Sequence, residues 1–422
     1  MNVLIIGHNP FNKELPNGRT LLELFSGFEK SQLAEIFLHP DAPNFEVCNR
    51  YYRIVDSEVL KGAIRFKKVG KTIDDSESFA NQKHAIYKYG SKRKSYTVLL
   101  RNLLWKCSRW FHSGLKKWIS DFKPDVIFLY LGNYYFAIDM ATKISRYFDI
   151  PIVTYIVDDY YFSRSLKKGF WGRVNHSLYC SKVRRLLNRR TTICLNDIMK
   201  KQYASEFDCN YHVIYTTSSV SAFPEKKPEE RLRMIYAGGI ACERNQSLVA
   251  IGKVIDECNL PIDFYVYTKE DREWLREPLA NAPCIQLCEG VSYEEVLTLI
   301  RECDIIVHVE GFSKDSEELV RYSMSTKIAD ALSCNRVLLA YGPSGIASID
   351  YLEENQCAFV ANNVEELKTV LSEICSGGQS IAQKKENALR VALANHTREQ
   401  NHRKLFVALE ETINEHKKNQ TK

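Results

Sequence analysis

The sequence predicts an α/β fold. It comprises two doubly wound domains, each built on a mainly parallel sheet, that face each other across a cleft, and a C-terminal helix packing back on the first. Three observations predict it. Short apolar runs alternate with amphipathic helical patterns along the whole chain, the signature of parallel α/β layers. The 422 residues are enough for two or three domains that each bury a core. The strand–helix plan also occurs twice, on either side of SSVSAFPEKKPEERLR, a stretch rich in Ser, Pro and charge.

Taken in order, the first half has predicted strands at 3–7, 35–38, 126–131, 152–157, 192–195 and 212–215. The opening MNVLIIGHNPFNKELPNG passes from a short apolar run directly into turn residues and lacks a basic leader, so it reads as a buried strand and not as a signal peptide. The second half has predicted strands at 234–237, 264–267, 285–288, 305–309, 337–341 and 358–360. The predicted domains are therefore 1–218 and 232–380, joined by a linker at 219–231. Residues 381–422 supply the crossing helix and tail, since 381–417 form one long polar-rich helical pattern.

A hydrophobic content of 45% with 26% charged residues is that of a globular chain, and no apolar run reaches the roughly 18–20 residues that span a bilayer. The thirteen cysteines lie singly; the closest pair, Cys284 and Cys288, has no CxxC partner and no neighbouring His pair. Reduced thiols in the cytoplasm are expected, and no metal. The net charge of +6 hides an asymmetry: residues 1–220 carry 34 basic against 20 acidic residues, the remainder 24 against 32. Two segments hold much of it. Residues 91–123 contain nine Lys or Arg and one Asp, interleaved with Trp105, Trp110, Phe111 and Trp118; residues 163–190 contain nine and no acid. Basic residues with Trp and Leu at helical spacing suit the headgroup layer of an anionic membrane, or else the basic exterior of an ordinary amphipathic helix. Peripheral contact with the inner face of the membrane is expected from these segments. No motif that reads nucleic acid accompanies the charge.

Ligands of doubly wound sheets bind beyond the carboxyl ends of the strands, so the loops after strands carry the functional reading. In MIYAGGIACERNQSLVAIG a strand ends in Gly238 and Gly239, whose backbone amides can approach an anion, and Arg244 precedes a helix where it can fork onto phosphate oxygens. In RYSMSTKIADALSCNRVLLAYG, Lys327 sits in the opening turn of a helix, against the local dipole. If Ser325 or Thr326 caps that helix, its hydroxyl and the first-turn N–H groups form an anion site that Lys327 completes. Lys327 and Asp330 share a face one turn apart, so the lysine can hold phosphate while the carboxylate accepts from a ribose diol. The same spacing also describes a solvated i,i+3 ion pair.

These stretches resemble motifs of the family 4 glycosyltransferases, whose fold is GT-B with two Rossmann-like domains. MIYAGGIACER is similar to the family's Gly-Arg-Leu-x-x-x-Lys-Gly, with Gly238 on the first glycine, Ile240 on the leucine and Arg244 on the diphosphate-binding lysine. Gly239 stands where the family usually has an arginine. ADALSCNRVLLA is similar to EAMACGxPVVA, with Asp330 in place of the ribose-binding glutamate, and Glu310-Gly311-Phe312 is similar to the Glu-Pro-Phe-Gly whose glutamate lies near the donor sugar. Nineteen residues separate Glu310 from Asp330 where the family has seven, and the insert at 311–324, with Lys314 and Arg321, is either a flap over the donor or a surface loop.

The resemblance implies a retaining hexosyltransferase that moves sugar from a UDP- or GDP-sugar to a saccharide or lipid-linked saccharide in envelope polysaccharide synthesis, without a cofactor. It implies Arg244, Lys327 and Glu310 as catalytic groups. Val291 would lie beside the base, and Ser344, in a glycine-containing loop after a strand, either forms a second wall of the donor site or belongs to a plain turn before a helix. On the acceptor side it implies Asn17, Gly18 and Arg19, expected just before and at the start of a helix, together with Asp158 and Asp159 after a strand; those carboxylates orient an acceptor hydroxyl or cap the next element. Val157 occupies the strand end where relatives often carry a histidine. Two rival readings share the fold: a sugar-nucleotide 2-epimerase, and a catalytically silent subunit that binds a membrane or a partner.

Overall fold

The fold starts with β1 (Val3–Gly7), every residue of which is buried, as a strand covered on both faces requires. The computed structural model describes residues 1–13, 16–75, 95–163, 167, 169–226 and 229–421. The chain divides into two compact units, Met1–Ile214 with Asn401–Lys422, and Tyr215–Gln400.

In the first unit β1 leads through α1 (Pro16–Phe25) to β2 (Leu33–Phe37), β3 (Tyr51–Arg53), α2 (Asp56–Arg65) and β4 (Lys71–Ile73). Then come α3 (Ser95–Cys107), α4 (Ser113–Phe122), β5 (Val126–Leu131), α5 (Tyr135–Phe148), β6 (Ile152–Ile156), α6 (Gly169–Leu187), β7 (Thr191–Cys194), α7 (Asp197–Ala204) and β8 (Asn210–Val213). The sheet order is β4-β3-β2-β1-β5-β6-β7-β8, parallel throughout except for β4, which runs antiparallel to β3 at the edge. β3 and β4 are three residues each and show no hydrophobic period of their own, so the sequence did not announce them.

The second unit contains β9 (Leu232–Ala237), α8 (Arg244–Glu257), β10 (Ile262–Thr268), α9 (Glu273–Ala280), β11 (Ile285–Glu289) and α10 (Tyr293–Glu302). It continues with β12 (Ile305–Val309), α11 (Lys314–Val320), α12 (Thr326–Ser333), β13 (Val337–Tyr341), α13 (Ala347–Glu354), β14 (Phe359–Ala361), α14 (Val364–Cys375) and α15 (Ser380–Asn395). Its sheet is parallel, in the order β11-β10-β9-β12-β13-β14. Ile251, Phe264, Val307 and Leu339 are among the side chains that fill the core between this sheet and its helices.

Three expectations change. The stretch read as a linker is bound to the second unit. The Phe223 N–H donates to the Cys334 carbonyl, Arg336 Nη1 donates to the Pro224 carbonyl, and Lys226 pairs with Asp304 at 3.0 Å. Its Ser, Pro and charge thus serve local packing, which composition cannot distinguish from solvation. The long C-terminal pattern is two helices, α15 and α16 (Arg398–Gln420). They part at the buried His396, whose Nδ1 lies 2.7 Å from the Thr216 carbonyl and whose Nε2 lies 3.0 Å from the Tyr351 hydroxyl. The carbonyl can only accept, so Nδ1 carries the proton and Nε2 accepts from tyrosine. From Asn401 onward α16 belongs to the first unit, where Thr412 Oγ1 meets Thr191 Oγ1 at 2.6 Å.

The third change concerns the tryptophans of 91–123. Trp105, Trp110 and Trp118 are buried. Trp105 stacks on Phe136 at 4.3 Å between centroids and donates its Nε1–H to Asp56 Oδ1, so these rings are core and not membrane anchors. The positions 91–94, 164–166 and 168 of the two basic segments lie outside the described residues.

Candidate functional site

The strand order of the second unit reverses between β9 and β12, and the loops leaving those two strands are where a doubly wound sheet opens to a ligand. The loop after β9 runs from Gly238 to Glu243 and turns through left-handed backbone at Cys242 (φ 56°) and Glu243 (φ 59°) before Arg244 opens α8. Buried Ile240 pins it, its carbonyl accepting from the Asn245 N–H at 3.2 Å, and the Tyr236 hydroxyl donates to the Gly239 carbonyl at 2.5 Å. The loop after β12 begins with Glu310. Gly311 follows because any Cβ there would collide with the Cys242 carbonyl, so the close approach of the two loops at this point requires a glycine. Ser247 Oγ donates to the Glu310 carbonyl at 2.7 Å and the Ser313 N–H donates to Glu243 Oε2 at 3.1 Å, which clamps the loops together.

Across this junction Arg244 forks onto Glu310: Nε donates to Oε2 at 2.9 Å and Nη2 to Oε1 at 3.0 Å. The Glu310 side chain is 3% exposed and that of Arg244 25%. Arg244 Nη1 makes no hydrogen bond among the described residues, so the pair buries the carboxylate and leaves one face of the guanidinium for an anion. Burial pushes the Glu310 carboxyl up, while Arg244 and then Lys327 pull against that shift.

Lys327 reaches the same place from α12. Its Nζ lies 4.6 Å above the Tyr236 ring and so close over Gly238 that a Cβ at that position would collide with it. His308 of β12 stands 3.7 Å from Glu310 and 3.0 Å from Ser348 Oγ. Burial first, and then Arg244 and Lys327, hold its pKa down to about 3, so the ring is neutral at physiological pH. The junction thus combines two cations, one carboxylate and a neutral imidazole. At the start of α12, Ser325 is the N-cap residue but gives the helix no side-chain hydrogen bond, and Thr326 is the first helical residue.

Asp330, one turn further, is 5% exposed and already engaged: Ser218 Oγ donates to Oδ1 at 2.7 Å, and the Tyr293 hydroxyl reaches both oxygens at 3.1 and 3.2 Å. Tyr293 opens α10 directly after Val291 and Ser292, so Asp330 ties the Val291 loop to α12. Ser344 is exposed in the loop after β13. The 311–324 insert contains α11, with Val320 and Met324 buried.

The site residues proposed in the first unit are placed differently. Asn17, Gly18 and Arg19 lie within the first turn of α1, which starts at Pro16, ahead of the expected position. Asp159 is a turn former: Oδ1 accepts from the Tyr161 N–H at 3.0 Å, the Phe162 N–H at 3.1 Å and the Tyr203 hydroxyl at 2.9 Å. Asp158 accepts from the Tyr160 hydroxyl at 3.4 Å. Gly238, Gly239, Arg244, Glu310 and Lys327 are therefore gathered at one junction, with Ser325, Thr326 and Asp330 on its adjoining helix. Sequence reasoning missed Tyr236, His308, Ser218 and Tyr293. Tyr236 and His308 were hidden among alternating strand residues, while Ser218 and Tyr293 reach Asp330 from 112 and 37 residues away.

No family model matches the chain, and no curated protein matches it. Solved structures do resemble it. Anabaena HepE in complex with UDP and glucose aligns over 97% of this chain and 99% of that one, with a TM-score of 0.62 and 11% identity. A glycosyltransferase from Rickettsia africae aligns over 98% of each chain, with a TM-score of 0.59 and 12% identity. WaaG, a glycosyltransferase involved in lipopolysaccharide biosynthesis, aligns over 95% of this chain and 98% of that one, with a TM-score of 0.57 and 12% identity. The likeness establishes the fold, which is the GT-B fold of these glycosyltransferases.

Proposed function

We propose that this chain is a glycosyltransferase. It takes a sugar from a UDP- or GDP-sugar and transfers it, with retention of anomeric configuration, to a saccharide or lipid-linked saccharide in cell-envelope polysaccharide synthesis. The observation that carries the reading is the meeting of Arg244 and Lys327 around Glu310 at the strand-order reversal. A pyrophosphate at that junction would receive Arg244 Nη1, Lys327 Nζ and the first-turn amides of α12. Glu310 acts as a positioning group, since it holds the guanidinium plane and spares it the entropy of searching. Departure of the nucleoside diphosphate develops negative charge where these cations already point, so their stabilisation grows toward the transition state. The ribose would lie toward Asp330, the base toward Val291, the donor wall would include Ser344, and the acceptor would be held by Asn17, Gly18, Arg19 and Asp158. The reaction needs no cofactor, because fixed cations supply the electrostatics.

A 2-epimerase on this fold would use a histidine and carboxylates to move protons. His308 and Glu310 are such a pair by proximity. His308, however, is buried and held neutral, with its pKa down to about 3, which fits a structural partner of Ser348 better than a proton carrier.

Thermal unfolding with UDP, GDP and UDP-glucose tests the reading. A bound nucleotide raises the melting temperature according to its occupancy. Lys327→Ala is expected to abolish that rise while leaving the ligand-free melting temperature nearly unchanged. Slow donor hydrolysis by the wild type marks a transferase, 2-epimer product marks the epimerase, and neither nucleotide binding nor turnover marks a silent subunit.

A further inference from the structure

The first unit carries a second feature that glycosyl transfer does not use. Between α2 and β4 lies a cavity of about 350 Å³ lined by Lys61, Arg65, Lys67, Lys68 and Lys71, with Glu58 as the one carboxylate in its wall among the described residues. Glu58 faces Arg53 at 3.5 Å. Lys61, Arg65, Lys67 and Lys68 form no ion pair among the described residues, so the cavity gathers a concentration of positive charge. Leu60 (44% exposed), Ile64 (70%) and Phe66 (78%) stand in solvent, Leu60 and Ile64 one turn apart on α2 and Phe66 at its C-cap. The neighbouring α3, which packs against α2, exposes Leu100 and Leu103, both at 55%.

The turn that presents these groups is rigidly built. Phe66 adopts left-handed backbone (φ 52°), and its N–H and that of Lys67 both return to the Gly62 carbonyl. Gly62 is required, because a Cβ there would collide with Val69. Arg109 Nη1 donates to the Phe66 carbonyl at 3.2 Å and secures the turn from outside. Phe66 is the one aromatic among the described non-glycine residues with positive φ. Glycine or asparagine would fit that conformation with less strain, and an exposed ring adds nothing to the core.

We propose that the α2–β4 turn is a docking surface for an anionic lipid bilayer, with the cations of the cavity taking lipid phosphate and Ile64 and Phe66 entering the interfacial layer. Free phosphate would account for the cavity but not for the exposed Ile64 and Phe66 next to its lining residues in the chain. Exposed Ile and Phe next in the chain to four clustered cations is the combination an acidic membrane surface recognises. The cations of the cavity lie outside both basic segments that the sequence singled out, and the inference does not rest on the glycosyltransferase reading.

Full-length protein sedimented with phosphatidylcholine vesicles, with and without phosphatidylglycerol, tests it. Binding is expected only to the anionic vesicles. Lys61→Gln/Arg65→Gln should lower the partition coefficient by roughly thirtyfold, from the usual contribution of two basic residues near an anionic surface. Ile64→Ser/Phe66→Ser should weaken binding mainly at high salt, where charge is screened and the apolar part remains. Both variants alter exposed side chains, so unchanged melting temperatures and unchanged nucleotide protection would show an intact fold and an intact second unit. Equal binding to neutral vesicles, wild-type binding by either variant, displacement from vesicles by millimolar inorganic phosphate, or a complex with nucleic acid that the same variants abolish would each overturn the proposal.

Discussion

Each unit buries one glutamate beside the loop that leaves its first strand, and the two are treated in opposite ways. In the first unit Glu35 of β2 is fully buried; Oε2 accepts from the Phe11 N–H at 3.0 Å, and Oε1 has no hydrogen-bond partner among the described residues. Burial pushes its pKa up to about 8, opposed only by that one backbone hydrogen bond. In the second unit Glu310 is 2% exposed and meets Arg244 through two hydrogen bonds with Lys327 nearby. Similar burial therefore yields a neutral acid in one sheet and a two-pronged ion pair in the other. What separates them is the presence of cations, and cations are costly to bury without purpose. The second unit retains charge at its strand-order reversal, where a ligand is expected; the first unit discharges its glutamate and keeps it as a strut for the loop after β1.

The contrast can be broken in three places. Glu310→Ala leaves Arg244 partly buried without its carboxylate, and the expected loss is about 3–5 kcal/mol of stability. Urea unfolding of the full chain measures it, and a loss below about 1 kcal/mol would make the pair a surface-like ion pair. Glu35→Gln comes next. The folded state holds the proton up to about pH 8, while the unfolded chain releases it near the ordinary glutamate value of 4.5. The stability this proton supports is complete at low pH and is lost as pH rises through that window. The wild type should therefore lose on the order of 3–4 kcal/mol from this source between pH 5 and 9. Glutamine, which matches the protonated acid in shape, should remove that dependence, whereas equal pH slopes for the two proteins would mean that Glu35 is already ionised in the fold.

The smallest of the three effects belongs to His308 and has the opposite sign. Its folded pKa of about 3 lies below the unfolded 6.5, so stability is complete above pH 6.5 and is lost as pH falls toward 3. At pH 5 the cost should be about 2 kcal/mol relative to pH 7. His308→Gln should flatten this acid limb while leaving the alkaline limb unchanged. An acid limb that persists in the variant would assign it to other groups.

Much of the junction after β9 and β12 was legible in the chain. The pairing of Gly238 and Gly239 with Arg244, the glutamate directly after a strand, and Lys327 in a first helical turn each follow from local rules about loops and helix ends. Other residues could not be read this way. Asp330 as a tie between Ser218 and Tyr293 depends on contacts that bring distant segments together. The tryptophans of 91–123 carried a pattern that suits a membrane as well as a core, and only Asp56 and Phe136 decided for the core. The apolar and basic residues of α2 lay outside both charge-rich segments, and their exposure is a property of the folded surface.

By itself the sequence determined the alternation of strands and helices, the two-fold repetition of the plan and the positions of the charged loops, because periodicity, glycine backbone freedom and helix polarity act over a few residues. Only the tertiary structure decided which loops lie at the strand-order reversal, that Arg244 spends one side of its guanidinium on Glu310, and that Glu35 is neutral. Those outcomes depend on dielectric surroundings and on partners far along the chain, and burial and long-range contact exist only once the sheet has closed.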